Sequence, residues 1–132
     1  LEQLLLSGSL SVRDLPDAWN QHMKNLLGIK PPDDKLGCLQ DIHWYDGAWG
    51  YFPSYTLGAI VAAQIYDTAK KNIGSLNTKI RKGDFSPLLL WLRSNIHSKG
   101  RSIGSQELLA QVTGKAIDVQ IFKKHLIDRY LK

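Results

Sequence analysis

The residues best suited to catalysis lie in one glycine-rich segment, residues 37–55. Asp41 and His43 are two positions apart there, so a loop or strand would place them on one side, where the carboxylate can fix the tautomer of the imidazole. Tyr51 and Tyr55 are four apart, and their hydroxyls point the same way if both lie in the first turn of the next helix. An imidazole and a phenol aimed at one point are suited to stabilising an oxyanion. The alternative, that these side chains only satisfy loop carbonyls, stays open at this point.

The common self-contained catalytic patterns are absent from the sequence. None of the four histidines is followed by Glu, so there is no HExxH motif, and no two histidines have the spacing of metal ligands. A CxxC pair, a glycine-rich phosphate loop and a GxSxG elbow are also missing. We therefore predict no metal ligand within this chain.

Composition and charge are those of an ordinary globular protein. Hydrophobic residues make up 43% and charged residues 22% of the 132 positions, so we expect residues 1–132 to form a single helical domain with a core. The net charge of +5 permits contact with nucleic acid, but the basic residues are scattered and no recognition motif accompanies them. Nucleic-acid binding is therefore not expected.

Two features of the sequence concern the location of the protein. Cys38 is the only cysteine, so no internal disulfide can form, which fits a reducing compartment and predicts a cytoplasmic protein. The longest apolar stretch, residues 57–66, is interrupted by Gln64 and has about half the length that a membrane-spanning helix needs. No membrane association is expected.

Hydrophobic spacing predicts an all-α fold, a multi-helix domain with one long glycine- and aromatic-rich loop before a central buried helix. The loop covers residues 29–53, with a possible short strand over residues 39–44. The central helix is predicted to follow Pro53, with Ser54 as its cap, and to run to about Lys71. Other helices are predicted to end near Gly8, to cover residues 14–28, 76–82, 86–100 and 105–114, and to follow Asp118. The chain starts inside a helical pattern, so we expect it to be cut from a longer protein.

Residues 37–44 meet the motif GxxQDxHW in full, and at this segment the chain resembles the thermostable carboxypeptidase family, also called the carboxypeptidase Taq family of zinc metallopeptidases. The fixed positions are Gly37, Gln40, Asp41, His43 and Trp44. The sequence GYFPSYTLG follows, as in that family, and further likeness lies at residues 14–20, 91–100 and 112–114. The resemblance covers almost the whole chain and is to the C-terminal portion of the family.

The resemblance implies an activity that this chain cannot complete alone. Members of the family are all-helical and remove single amino acids from peptide C-termini. They hold zinc with two histidines of an HExxH motif and a further glutamate, all upstream of this segment. The chain is therefore expected to be the C-terminal part of a zinc carboxypeptidase. We expect it to be inactive by itself and to need a peptide substrate and the upstream catalytic segment as partners.

The resemblance also implies roles for matching residues. His43 and Tyr55 would face the scissile carbonyl and stabilise the tetrahedral oxyanion, and Tyr51 is the alternative donor. Gln40 and Asp41 would position His43 or the substrate backbone. These roles are expectations carried over from related zinc peptidases.

A second interpretation is a non-catalytic helical interaction module derived from the same family. A part of a larger helical enzyme should also expose surface that was internal, here around residues 1–5 and on the helix after Pro53. Exposed apolar patches favour self-association, so we expect a homo-oligomer at high concentration.

Overall fold

The computed structural model describes residues 1–131 and is all-helical over them, as the sequence predicts. In chain order the helices are α1 (Glu2–Leu6), α2 (Leu15–Leu27), α3 (His43–Asp46), α4 (Pro53–Asn72), α5 (Leu76–Arg81), α6 (Ser86–Asn95), α7 (Ser105–Thr113) and α8 (Val119–Tyr130). Short 3₁₀ turns form at Val12–Asp14, Cys38–Gln40 and His97–Lys99. None of the described helices has both the length and the apolar character needed to cross a membrane.

Contacts between residues divide the chain into two compact units. The first is Leu1–Pro53 and contains α1, α2 and α3, and the second begins at Ser54 and contains the rest of α4 together with α5 to α8. The single domain expected over residues 1–132 stays a prediction. Each unit has its own buried residues, Gly37 and Cys38 in the first and Ile60, Gln64, Ala69, Leu76 and Leu109 in the second.

The helix boundaries of the first unit follow local sequence signals. α2 begins directly after Asp14, has Pro16 in its first turn, and ends at Gly28, whose φ of 73° lies in the left-handed region. α1 is a single short helix that ends before Gly8, as predicted.

The prediction of a short strand over residues 39–44 is wrong. These residues form the 3₁₀ turn Cys38–Gln40 and the start of α3 instead. The cause is local, because an Oδ1 atom of Asp41 accepts the backbone N–H of His43 at 3.0 Å and so starts a helical turn. Gly47, with φ of 65°, ends that turn. Asp41 and His43 therefore come to one side through a tight turn and not through an extended strand.

The long helix α4 is confirmed in position, but two details of its prediction are wrong. It already begins at Pro53, so Ser54 lies inside the first turn and is not the cap. Its burial is also confined to part of its length, because Tyr55 and Leu57 remain 58% and 51% exposed. The buried positions of α4 begin at Ile60.

A buried glutamine holds α4 in the second unit. Gln64 is fully buried, and its Nε2 donates to Thr113 Oγ1 at 2.8 Å and to the Ala116 carbonyl at 3.0 Å. Its Oε1 accepts the backbone N–H of Asp118 at 2.9 Å. The amide thus bonds to the α7–α8 connection through both its nitrogen and its oxygen, so its own polar atoms are satisfied although the side chain is fully buried.

The remaining helix ends agree with the sequence to within a few residues. Asp118 caps α8 by accepting the backbone N–H of Gln120 at 2.9 Å. α7 begins at Ser105, as predicted, with Gly104 at the N-cap position, and ends at Gly114. α6 stops at Asn95, before the predicted Gly100, because the turn His97–Lys99 intervenes.

Candidate active site

The centre of the candidate site is a carboxylate–imidazole pair in the first unit. His43 Nδ1 lies 2.6 Å from Asp41 Oδ1, and the two side chains are only 13% and 10% exposed. An ionised carboxylate only accepts hydrogen bonds, so Nδ1 is the protonated nitrogen and the chemistry of the ring is assigned to Nε2. The Asp41 carboxylate thus lies where it can fix the tautomer of the imidazole.

The protonation state of His43 decides what Nε2 can do. In the neutral ring with its proton on Nδ1, Nε2 is an acceptor and suits a substrate N–H. In the imidazolium, Nε2 is a donor and suits an oxyanion. Because Asp41 occupies the Nδ1 side, stabilisation of an oxyanion by His43 requires the imidazolium form.

Two aromatic side chains pack against the imidazole. The Phe52 ring is 4.9 Å from it, centroid to centroid, at an interplanar angle of 72°, and the Tyr51 ring is stacked at 6.0 Å and 25°. Sequence reasoning placed Tyr51 near His43 but overlooked Phe52. The signal for Phe52 was its position directly after Gly50-Tyr51, in the segment that returns towards the motif.

The backbone turn that carries these rings is tied to the start of the chain. Gly50 has φ of 77°, a conformation that favours glycine, and its N–H donates to Glu2 Oε2 at 2.7 Å. The backbone N–H of Tyr51 donates to the Ala48 carbonyl at 3.2 Å. No sequence signal points to Glu2, because its partner is 48 positions away.

Trp44 has a structural contact next to the pair. Its Nε1 donates to the Cys38 carbonyl at 2.9 Å, and its ring makes edge contacts with Trp19 at 6.2 Å and with Trp49 at 5.6 Å.

Burial raises the pKa of the Cys38 thiol, and the Asp34 carboxylate acts in the same direction. The thiol is therefore protonated at neutral pH and is unsuited to a role as nucleophile.

A groove of about 610 Å³ opens beside the pair within the first unit. Trp19, Leu26, Trp44 and Phe52 give it apolar walls, and Asp41 is one of its polar lining residues. Trp19 Nε1 is buried with no hydrogen-bond partner among residues 1–131. An unpaired buried donor of this kind is costly and favours an acceptor brought from elsewhere.

The other predicted site residues are divided between the two units. Gln40 donates from Nε2 to the Lys35 carbonyl at 2.6 Å, so its amide supports the motif loop. Tyr51 precedes α4 and lies in the first unit, whereas Tyr55 is in the first turn of α4 and lies in the second. The condition under which both hydroxyls would point the same way, a shared first turn of the helix, is not met, because α4 begins only at Pro53.

A metal centre needs several donor side chains that converge on one point. Over residues 1–131, no three histidine, cysteine, aspartate or glutamate side chains are grouped so that they could hold a metal ion. The described residues therefore do not by themselves fit a catalytic metal.

Comparison with known proteins gives one consistent result. The family model described as carboxypeptidase Taq (M32) metallopeptidase matches residues 1–130. Thermostable carboxypeptidase 1 of Pyrococcus furiosus is 41% identical over 131 residues, which are 99% of this chain and 26% of that protein. Thermostable carboxypeptidase 1 of Thermus thermophilus is 41% identical over 130 residues, which are 98% of this chain and 26% of that protein.

Solved structures agree with the sequence comparison. Metallocarboxypeptidase 1 of Trypanosoma cruzi superposes with a TM-score of 0.93 at 39% identity, over 99% of this chain and 28% of that one. The M32 carboxypeptidase of Deinococcus radiodurans R1 gives a TM-score of 0.92 at 39% identity, over 98% and 26%. The chain thus spans about a quarter of the length of the curated relatives it matches.

Proposed function

The chain belongs to the carboxypeptidase Taq (M32) family of metallopeptidases, and from that membership we propose that it is the C-terminal part of a zinc-dependent carboxypeptidase. In the intact enzyme it supplies contacts to the substrate and the transition state, and the enzyme releases single amino acids from peptide C-termini. The observation that carries this proposal is the partly enclosed Asp41–His43 pair, placed inside the motif by which the chain resembles the family.

The chemistry proposed for these residues is electrostatic. Hydrolysis of a peptide bond passes through a tetrahedral intermediate whose oxygen is negatively charged, and well-placed donors stabilise it. His43 donates from Nε2 as the imidazolium, and the Tyr55 hydroxyl is the second donor, with Tyr51 as its alternative. Asp41 keeps the imidazole in the required orientation, and Gln40 supports the loop from which both project.

The metal belongs to another part of the intact protein in this proposal. The described residues offer no group of metal ligands, and the relatives are almost four times as long as the stretch they share with this chain. We therefore place the zinc ligands in the upstream segment. A chain without them has no means of activating water for attack, so we expect it to be inactive by itself.

The proposed partners follow from the same assignment. The intact enzyme binds a peptide through its free C-terminus, and this chain associates with the upstream catalytic segment. We propose a cytoplasmic location, because the single thiol of Cys38 fits a reducing compartment. Exposed apolar side chains such as Leu26, at 78%, and Leu27, at 63%, support association with further protein surface, including a second copy of this chain.

Complementation of activity tests the proposal. Release of the last residue is measured on one peptide with a free C-terminus and on the same peptide with a C-terminal amide, with added zinc. The chain is assayed alone and then mixed with the upstream segment. We expect no activity from the chain alone, and trimming of only the free peptide by the mixture. Activity of the chain alone would overturn the assignment of the metal ligands to the upstream segment.

A negative complementation result has its own meaning. If the two segments bind each other but the mixture is inactive, the interaction-module interpretation replaces the catalytic one. Binding must then persist when zinc is removed with a chelator. Binding that instead weakens steeply with salt, and extends to nucleic acid, would indicate contacts with phosphates.

A further inference from the structure

The orientation of the His43 ring depends on more than its carboxylate partner. The bond to Asp41 fixes one edge of the imidazole, and a tilt of the ring about the axis between Nδ1 and Oδ1 would leave that bond intact. The Phe52 ring, nearly perpendicular at 4.9 Å, packs on the imidazole and opposes that tilt. We propose that Phe52 is a positioning residue for His43, and that the hydrogen bond between Glu2 and Gly50 holds the turn that presents it.

The backbone explains why Glu2 is part of this arrangement. Tyr51 and Phe52 follow Gly50 and precede α4, so their rings are aimed by an irregular segment without a helical hydrogen-bond pattern of its own. The Glu2 carboxylate accepts the Gly50 N–H at 2.7 Å, a short charge-assisted bond that crosses from α1 to this segment. Without that bond, Gly50, the residue of the turn with positive φ, is no longer held to α1.

The effect on catalysis rests on the function proposed for His43. A donor must lie within hydrogen-bond distance of the developing oxyanion, and a misplacement of about 1 Å can lower the rate about 100-fold. A change in the aim of Nε2 therefore reduces kcat, while contacts that bind the substrate remain. The ring orientation itself can be measured without any activity.

Nuclear magnetic resonance of the chain alone measures that orientation. The ring nitrogens of ¹⁵N-histidine-labelled chain are observed at about pH 8.5, where an ordinary imidazole is neutral. The His43 signals are identified by their absence in His43→Gln. In the native chain we expect one protonated nitrogen, Nδ1, with a proton signal protected from exchange. Phe52→Leu should weaken or broaden that proton signal and move the two nitrogen shifts toward each other.

Matched variants separate positioning from general disturbance. Phe52→Tyr keeps the ring and should keep the native signals. Phe85→Leu removes a phenylalanine of similar exposure, 57% against 53%, and should leave the His43 signals unchanged. Unchanged His43 signals in Phe52→Leu, with native circular dichroism, would overturn the proposal.

The anchor is tested by a second pair of variants. Glu2→Ala removes the acceptor for Gly50 N–H and should change the His43 signals in the same direction as Phe52→Leu. Glu2→Gln retains an acceptor oxygen and should restore most of the native pattern. Glu107→Ala, which removes a carboxylate that bonds Gln111 in α7, is the control and should have no effect. Native signals in Glu2→Ala would overturn the anchoring role.

Kinetics of the complemented enzyme distinguish this proposal from the proposed function. We expect Phe52→Leu to lower kcat about 10- to 100-fold with KM changed less than about twofold. If the resonances change but kcat does not, Phe52 does position the ring and the catalytic role of His43 is wrong. If kcat falls while the resonances stay native, the positioning role is wrong.

Discussion

His43 Nδ1 lies 2.6 Å from Asp41 Oδ1, and the same oxygen accepts the backbone N–H of His43 at 3.0 Å. One carboxylate oxygen therefore fixes both the backbone turn and the ring of the next-but-one residue. Both hydrogen bonds need an acceptor oxygen at this position, whether or not it is charged. Substitutions at Asp41 that keep the oxygen should therefore cost less activity than those that remove it.

We expect Asp41→Asn to lower kcat of the complemented enzyme about 10- to 100-fold, because the imidazole is no longer held in its orientation by a charged partner. The amide oxygen can still accept both hydrogen bonds, so the turn should survive, but the ring loses its charged partner. Asp41→Ala should cost more, because neither bond remains. Initial rates and circular dichroism measure both effects. Asp46→Asn, an exposed carboxylate of the same short helix, is the control, and an equal loss there would contradict the role of Asp41.

The two tyrosines are expected to differ in their contribution. Tyr55→Phe removes the hydroxyl of the proposed oxyanion donor and should lower kcat of the complemented enzyme about 100- to 1,000-fold with little change in KM. Tyr51→Phe keeps the ring that stacks on His43 and should lower kcat less than about tenfold. Steady-state kinetics of the two variants decide the assignment. The reverse order of effects would transfer the donor role to Tyr51.

Gln64 should be among the residues most important for stability. Gln64→Leu keeps a similar volume but leaves the Asp118 N–H and the Ala116 carbonyl without their partner, so we expect the free energy of unfolding to fall by about 2–4 kcal/mol. Urea unfolding measures this as a lower midpoint with an unchanged slope. Gln111→Leu, at an exposed position of α7, should change stability by less than about 0.5 kcal/mol. A midpoint equal to that of the native chain would show that the buried amide is not a structural clamp.

The ion pair of Asp67 predicts a pH dependence of stability. A hydrogen bond from Lys71 at 2.7 Å lowers the pKa of the Asp67 carboxyl below its ordinary value. A carboxyl with a depressed folded pKa stabilises the fold above its unfolded pKa, near pH 4, and this contribution is lost as the pH falls through the folded value. The thermal midpoint of Asp67→Asn should therefore be lower than that of the native chain at about pH 6 and equal to it at about pH 2. The pair is partly exposed, so the difference should stay below about 1 kcal/mol.

A double-mutant cycle controls for side effects at this pair. Lys71→Gln should reproduce part of the pH dependence of Asp67→Asn, because Lys70 still lies 3.6 Å from the Asp67 carboxylate, and the double variant should lose no more than Asp67→Asn alone. A difference from the native chain that is the same at every pH would show that Asp67 acts through packing and not through its charge.

The features predictable from the sequence are those decided by neighbouring residues. Asp41 and His43 are two positions apart outside a long helix, so a turn or loop can bring their side chains together, and Asp118 caps α8 because a carboxylate before a helix binds its first N–H groups. Gly28 and Gly114 end their helices for the same kind of reason, since both take positive φ.

Features that depend on distant parts of the chain could not be predicted in this way. Gln64 looks like an interruption in an apolar helix, and only the fold shows that its partners lie about fifty residues later. The Glu2–Gly50 bond has no local signal for the same reason. The strand expected over residues 39–44 failed because a side-chain bond to the backbone outweighed the extended preference of the segment.

The rate of the complemented enzyme with His43→Gln tests the central claim most directly. His125→Gln, a histidine of α8 outside the motif, is the matched control. For His43→Gln we predict a fall in kcat of about 100-fold or more with KM changed less than about twofold, because the lost contact acts in the transition state. His125→Gln should retain the native rate. A His43→Gln enzyme that trims the free peptide at the native rate would contradict the account, and the Asp41–His43 pair would then be a structural element of the motif loop.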